Sequence, residues 1–355
     1  LRHYIDIVQD KAGQRALLDM ARSIETRVLA GKETAAALVV RLGTQVAGLV
    51  ERLSPPPTPL ALDTIADRVA NGEPDWLEVA PPEVSVLMRN PDGSPFMLNH
   101  RTGVLEAPGG TGKSWLLVQL AVAIAVGGLW LDTYECQKGR VLLALGEERD
   151  EEIWRRVWRV TRHMRLDAYE RTEVARNIVP LGLDGEDVAF LERSTVGGNI
   201  TETAWFGRLQ QAMGRGVWKL AILDPLSFFG GPEVEQDPYV ATQLIRCGAK
   251  LTRSPGEPAV LFSAHSRKRP IGVDMKLDAS NTRGSSAIVD GSRWVCSMGK
   301  RSEKIIALKV TKTNYTVPGD ELLLTREKGG VLRPATFEEI AEDNEARKEA
   351  RARKG

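Results

Sequence analysis

Between residues 103 and 263 the chain alternates short apolar runs with stretches whose apolar positions recur at helical spacing. The runs occupy 103–106, 141–145, 178–181, 220–223 and 260–263. Each is apolar nearly throughout, not at alternate positions, which marks a strand covered on both faces. The helical stretches begin near Lys113, Glu151, Thr203 and Asp237. Strand then helix, repeated, predicts an α/β fold: a mostly parallel twisted sheet with helices on both faces. After Arg293 the pattern changes to strands at 305–310 and 321–325, read as an antiparallel extension of that sheet.

Ahead of this region, Ile5, Val8, Ala12, Leu17, Ala21, Ile24 and Val28 recur at helical spacing until Gly31. A second stripe, Leu38, Leu42, Val46, Leu49 and Leu53, buries one face only. Residues 1–53 are therefore expected as a helical hairpin. Ser54-Pro55-Pro56-Pro57-Thr58-Pro59 cannot continue a helix and marks a linker. The segment 54–101 adds a short helix at 62–69 and a Pro- and Gly-rich connection, with Asn90-Pro91-Asp92-Gly93 as a turn. The core is placed at 102–336, and the charged tail at 337–355 is expected as a solvated helix or a disordered end.

A chain of 355 residues exceeds one compact α/β core, which agrees with a main domain plus an appendage. Its net charge of +1 gives no global nucleic-acid signal, so any DNA contact must be a local patch. Cys136, Cys247 and Cys296 are far apart and lack C-x-x-C spacing. That argues against a disulfide framework and a zinc site, and a reducing cytoplasmic compartment is expected. The apolar stretch 116–131 contains Gln119 and follows a glycine-rich loop, so it reads as a buried helix and not as a membrane span. No secretory signal is visible. The sequence opens at Leu1 inside a helical pattern, which leads us to expect natural residues ahead of it.

The loop Gly109-Gly110-Thr111-Gly112-Lys113-Ser114 lies between an apolar run and a strongly helical one. Glycines let backbone N–H groups point at phosphate oxygens, and the following helix adds its positive end. Lys113 is expected on the β- and γ-phosphates of ATP, and the Ser114 hydroxyl on Mg²⁺. Ala107 stands where the usual pattern has its first glycine; the three remaining glycines keep the backbone freedom. The run 219–224 ends in Asp224, a carboxylate suited to Mg²⁺ or its water, or else a simple cap. The run 141–145 leads into Gly146-Glu147-Glu148, where a glutamate would orient and deprotonate the attacking water. Glu147 is preferred and Glu148 stands as its alternative. His265 ends the run 260–265 and is read as a γ-phosphate contact or a structural histidine. The loop it opens carries Arg267, Lys268, Arg269 and Lys276, suited to a nucleic-acid backbone or simply solvated. Arg283 closes that loop as a potential arginine finger.

The pieces "APGGTGKS", "GEE", "AILD", "AHSRK", "RGSSAIVDGSRW", "TKTNY" and "GGVLRPA" stand in this order between about 102 and 336. Together they resemble the RecA-like core of hexameric replicative helicases, most closely the RepA-type plasmid helicases. The resemblance implies phosphate and Mg²⁺ binding by Lys113 and Ser114, Glu147 as catalytic base and Asp224 as second acid. It further implies His265 as γ-phosphate sensor, with arginine fingers at Arg283 and Arg156. Residues 2–53 are similar to the end of the amino-terminal domain and the linker helix of DnaB-type helicases. An ATP-driven DNA helicase is thus expected, translocating on single-stranded DNA as a homo-oligomer, a six-membered ring, with a primase or loader as possible partner. A RecA-like recombinase and an ATP-switched loader without unwinding activity are the alternatives.

Overall fold

In the computed structural model, residues 80–81, 83–194, 198–266, 286–315 and 319–352 are described, together with position 277 and part of the stretch 15–38. The chain divides into two compact units between Pro82 and Glu83. In the first, a helical stretch at 21–30 stops at Gly31, as the apolar spacing predicts. Elsewhere in the expected hairpin positions 15, 18, 35 and 38 are helical; most of its other residues, the 54–59 proline run and the short helix at 62–69 lie outside the described residues.

Within the second unit, Glu83–Gly355, the chain begins with β1 (Val86–Arg89), β2 (Pro95–Leu98), β3 (Thr102–Ala107), α1 (Lys113–Val126), β4 (Leu129–Trp130) and β5 (Tyr134–Cys136). It continues with β6 (Val141–Leu145), α2 (Asp150–His163), α3 (Ala168–Asn177), β7 (Ile178–Gly182), β8 (Leu191–Arg193), β9 (Ile200–Glu202) and α4 (Ala204–Met213). Then come β10 (Leu220–Asp224), α5 (Leu226–Gly230), α6 (Pro238–Leu251), β11 (Ala259–His265) and α7 (Ser286–Gly291). Last are β12 (Trp294–Lys300), β13 (Ile305–Thr313), β14 (Leu322–Arg326), β15 (Leu332–Pro334) and α8 (Phe337–Ala352).

The main sheet has nine strands in the order β15-β14-β13-β12-β3-β11-β10-β6-β7. From β12 to β7 neighbours are parallel, and β13, β14 and β15 continue it antiparallel. The expected α/β architecture is therefore present. Alternate residues of each central strand feed opposite cores. Val141, Leu143 and Leu145 of β6 join the core under α1, α2 and α3. Leu142 and Ala144 join the core under α4 and α6. With both faces covered, the strands had to be apolar throughout, which is why they could be read from composition.

Local chemistry sets the helix ends. Thr203 caps α4 by accepting from the Phe206 N–H, and Asp237 caps α6 by accepting from the Tyr239 N–H. Asp167 and Glu170 form a reciprocal capping box on α3. No described helix is long and apolar enough to cross a membrane.

Residues 86–98, expected as a connection, form the β1–β2 hairpin around the Asn90–Gly93 turn, closed by Gly93 N–H donating to Asn90 O at 2.9 Å. The short runs at Leu87-Met88 and Phe96-Met97 are buried in the core beneath α1, which explains pairing over so few residues. Residues 337–352 of the tail form a helix, and an Arg301–Asp343 ion pair at 3.1 Å, with Asp343 buried, holds α8 to the end of β12.

Candidate active site

Four parallel strand ends meet at one edge of the sheet. Register places His265 beside Ala107, where the phosphate loop begins, and Asp224 beside Leu145, where Gly146 and Glu147 follow. Residues drawn from 107 to 265 are thus assembled by strand pairing alone.

The glycine-rich loop bridges β3 and α1. Gly110 and Gly112 have φ of 75° and 106°, the left-handed region that glycine enters without strain. Lys113 and Ser114 open α1, so its first N–H groups face out of the loop. Lys113 is 7% exposed, and its Nζ lies 3.6 Å from Asp224 Oδ1 and 3.5 Å from the Ala264 carbonyl. Ser114 Oγ donates to Asp224 Oδ2 at 2.8 Å. Ser263 Oγ donates to the other carboxylate oxygen of Asp224. Asp224 is 6% exposed and precedes a cis peptide to Pro225. A buried carboxylate survives only when compensated, and one cation with two hydroxyls does so here.

Glu147 and Glu148 separate clearly. Glu148 pairs with Arg156, which also holds Glu152 at 3.1 Å and lies over the Trp115 ring at 5.5 Å. Glu147 is exposed, and among the described residues no cation pairs with it. Its position follows from Gly146, whose N–H donates to the Asp224 carbonyl at 2.7 Å. A Cβ on Gly146 would meet the Phe228 ring at 2.6 Å, so any larger residue here would have to displace that ring.

His265 is half-buried, and its pKa is lowered first by desolvation and then by the Lys113 charge, while Glu147, Asp224 and Glu235 oppose the shift. The shift favours the neutral imidazole. Lys113, Glu147, Asp224 and His265 therefore share one electrostatic neighbourhood. Arg156 is engaged within its own chain. Arg267, Lys268, Arg269, Lys276 and Arg283 lie outside the described residues.

Two participants were not anticipated. Ser263 sits inside an apolar run, and that lone hydroxyl was the signal that could have marked it. Arg326, on β14, donates from Nη2 to the Gly110 carbonyl at 3.0 Å. With 216 positions between them, no spacing in the sequence could reveal that contact.

Among the described residues no group of three or more His, Cys, Asp and Glu side chains converges as a metal site. Ser114 and Asp224 supply a hydroxyl and a carboxylate side by side, the hard oxygen donors a magnesium ion takes when phosphates provide the rest.

The sequence profile of the AAA domain family matches residues 61–270, more than half of the chain. Among solved structures, an ATPase domain aligns with a TM-score of 0.47 and 13% sequence identity, over 78% of this chain and 98% of that one.

Proposed function

From the premise that this chain belongs to the AAA domain family, we propose that it is an ATP-hydrolysing DNA helicase that translocates on single-stranded DNA as a ring. The observation that carries the hydrolytic part is the division of the two glutamates. One is locked to Arg156. The other stands exposed in the electrostatic neighbourhood of Lys113, Asp224 and His265.

On this reading the loop amides and Lys113 bind the β- and γ-phosphates. Ser114 and Asp224 would hold Mg²⁺. Bound there with nucleotide, the ion would supply positive charge against the charge that develops on the transferred phosphate. Glu147 accepts a proton from the attacking water, and His265 hydrogen-bonds the γ-phosphate and relays its loss to the segment that follows β11. Lys113, whose Nζ lies 3.6 Å from Asp224 Oδ1, would turn from that carboxylate to phosphate.

Single-stranded DNA binding is assigned to Arg267, Lys268, Arg269 and Lys276, and the arginine finger to Arg283 of a neighbouring copy. The order of motifs from "APGGTGKS" to "GGVLRPA" supports a RepA-type helicase core, and residues 2–53 support a DnaB-like helical segment ahead of it. A six-membered ring with a primase or loader as partner follows from the same resemblance.

The deciding experiment measures ATPase rate with and without single-stranded DNA, mass in solution, and displacement of a tailed duplex. DNA-stimulated hydrolysis by a ring that displaces the strand is the expected result. Stimulation without displacement would favour a recombinase, and slow turnover indifferent to DNA would favour an ATP-switched loader.

A further inference from the structure

At the other end of the sheet, where β3 and β12 begin, lies a cleft of about 570 Å³. Four arginines line it, Arg101, Arg246, Arg253 and Arg293, and no carboxylate does. Elsewhere in this unit arginines pair readily with acids, as Arg149, Arg156, Arg193 and Arg333 do. Among the described residues none of the four cleft arginines has such a partner. Like charges gathered without a counter-charge repel one another, and an anion placed between them relieves that repulsion.

Part of the cleft is already fixed in place. Arg101 donates from Nε to the Tyr315 hydroxyl at 2.7 Å and from Nη1 to the His100 carbonyl at 2.8 Å, with its guanidinium over the Tyr315 ring. Thr102, 5% exposed, lines the same cleft, and its hydroxyl has no hydrogen-bond partner. The carboxyl end of α6 also borders the cleft, and its dipole opposes an anion with about half a unit charge. Four full positive charges outweigh it. The span of β3 separates this cleft from the phosphate loop by about 20 Å, at about 3.3 Å per residue.

We propose that this cleft is a second anion site, distinct from the chain's own phosphate loop, that binds phosphate groups through the forked guanidinium groups. It stands independently of the helicase reading. The same chemistry serves a free polyphosphate or the backbone of a single-stranded nucleic acid, and the experiment separates these sources.

Full-length protein saturated with a non-hydrolysable ATP analogue, so that the phosphate loop is filled, is titrated with pyrophosphate by calorimetry. We expect saturable binding that weakens at least about tenfold in the Arg246→Ala/Arg253→Ala variant, while affinity for the ATP analogue stays unchanged. Prior addition of an oligothymidine abolishes the pyrophosphate signal if backbone phosphates use the cleft, and leaves it intact if free polyphosphate does. Either result retains the site. Absence of saturable binding to the wild-type chain overturns the proposal, as does undiminished binding in the alanine variant. If that variant fails to fold, Arg246→Gln/Arg253→Gln is read in the same way.

Discussion

Ser114 Oγ donates to Asp224 Oδ2 at 2.8 Å, joining the first turn of the phosphate-loop helix to the end of β10 across 110 positions of sequence. Through its other oxygen the same carboxylate takes the Ser263 hydroxyl, and it faces the Lys113 ammonium. One side chain thus ties the loop to two strand ends. Asp224→Ala leaves a buried ammonium and two hydroxyls without their acceptor. It should therefore lower unfolding free energy by about 3 kcal/mol in the absence of nucleotide. Urea titration with an unchanged slope would register it, and a change under about 1 kcal/mol would show that the carboxylate contributes little to the fold.

Lys113→Ala and Glu147→Gln should fail in different ways. The first loses nucleotide affinity, measurable by titration with a fluorescent ATP analogue. The second keeps ATP bound and slows hydrolysis by about 10² to 10⁴, because only the proton acceptor is lost. Near-normal turnover of Glu147→Gln would move the role elsewhere, and Glu148 is poorly placed to assume it while paired with Arg156.

Replacing Arg267, Lys268 and Arg269 together by Ala should weaken single-stranded DNA binding and flatten its salt dependence. Each lost phosphate contact lowers the slope by about 0.7. ATP binding should survive. An unchanged slope would return these residues to the solvated surface.

Arg283→Ala should bind ATP normally and hydrolyse it about 10³-fold more slowly if the arginine serves a neighbouring copy. Mixing it with Lys113→Ala protein should then restore part of the activity, since some interfaces pair an intact loop with an intact arginine. No recovery in rings shown by mass to hold both variants would place Arg283 in its own chain, or require every site to be intact. Titrating Lys113→Ala protein into wild type separates those two: a proportional fall indicates the first, a collapse the second.

The tail helix carries a pH signature. Hydrogen bonds from Arg333, and next from the Thr336 N–H, hold Glu339 down at about 2 from an ordinary value of 4.5. A depressed carboxylate adds stability that is complete above the unfolded value and is lost as pH falls through the folded one. Melting temperature should therefore drop between pH 4.5 and 2 by more in the wild type than in Glu339→Gln. Parallel curves would mean that docking of α8 does not depend on this ion pair.

The central strands were legible because burial on both faces forces continuous apolar runs, and because a Gly, Pro or polar residue stops each one. The phosphate loop was legible because few backbones other than glycine reach its conformation. By contrast, α3 buries only Val174, so no apolar stripe announced it. The parallel pairing of β12 with β3 was equally hidden, since spacing does not say which strand will be a neighbour. The division of labour between Glu147 and Glu148 needed Arg156 one helix turn beyond Glu152, and it became visible only when α2 was folded against Trp115.

The helix that follows the phosphate loop is buried on every side, with eleven of its fourteen residues inside the protein. A cylinder gripped all round cannot tilt or slide without opening voids, each costing about as much as a deleted core side chain. Its amides should therefore resist deuterium exchange equally with ATP, with ADP and with no nucleotide. On the proposed reading, the γ-phosphate would then work against a fixed anvil, and its stroke would fall on the strand ends opposite, at Glu147 and His265.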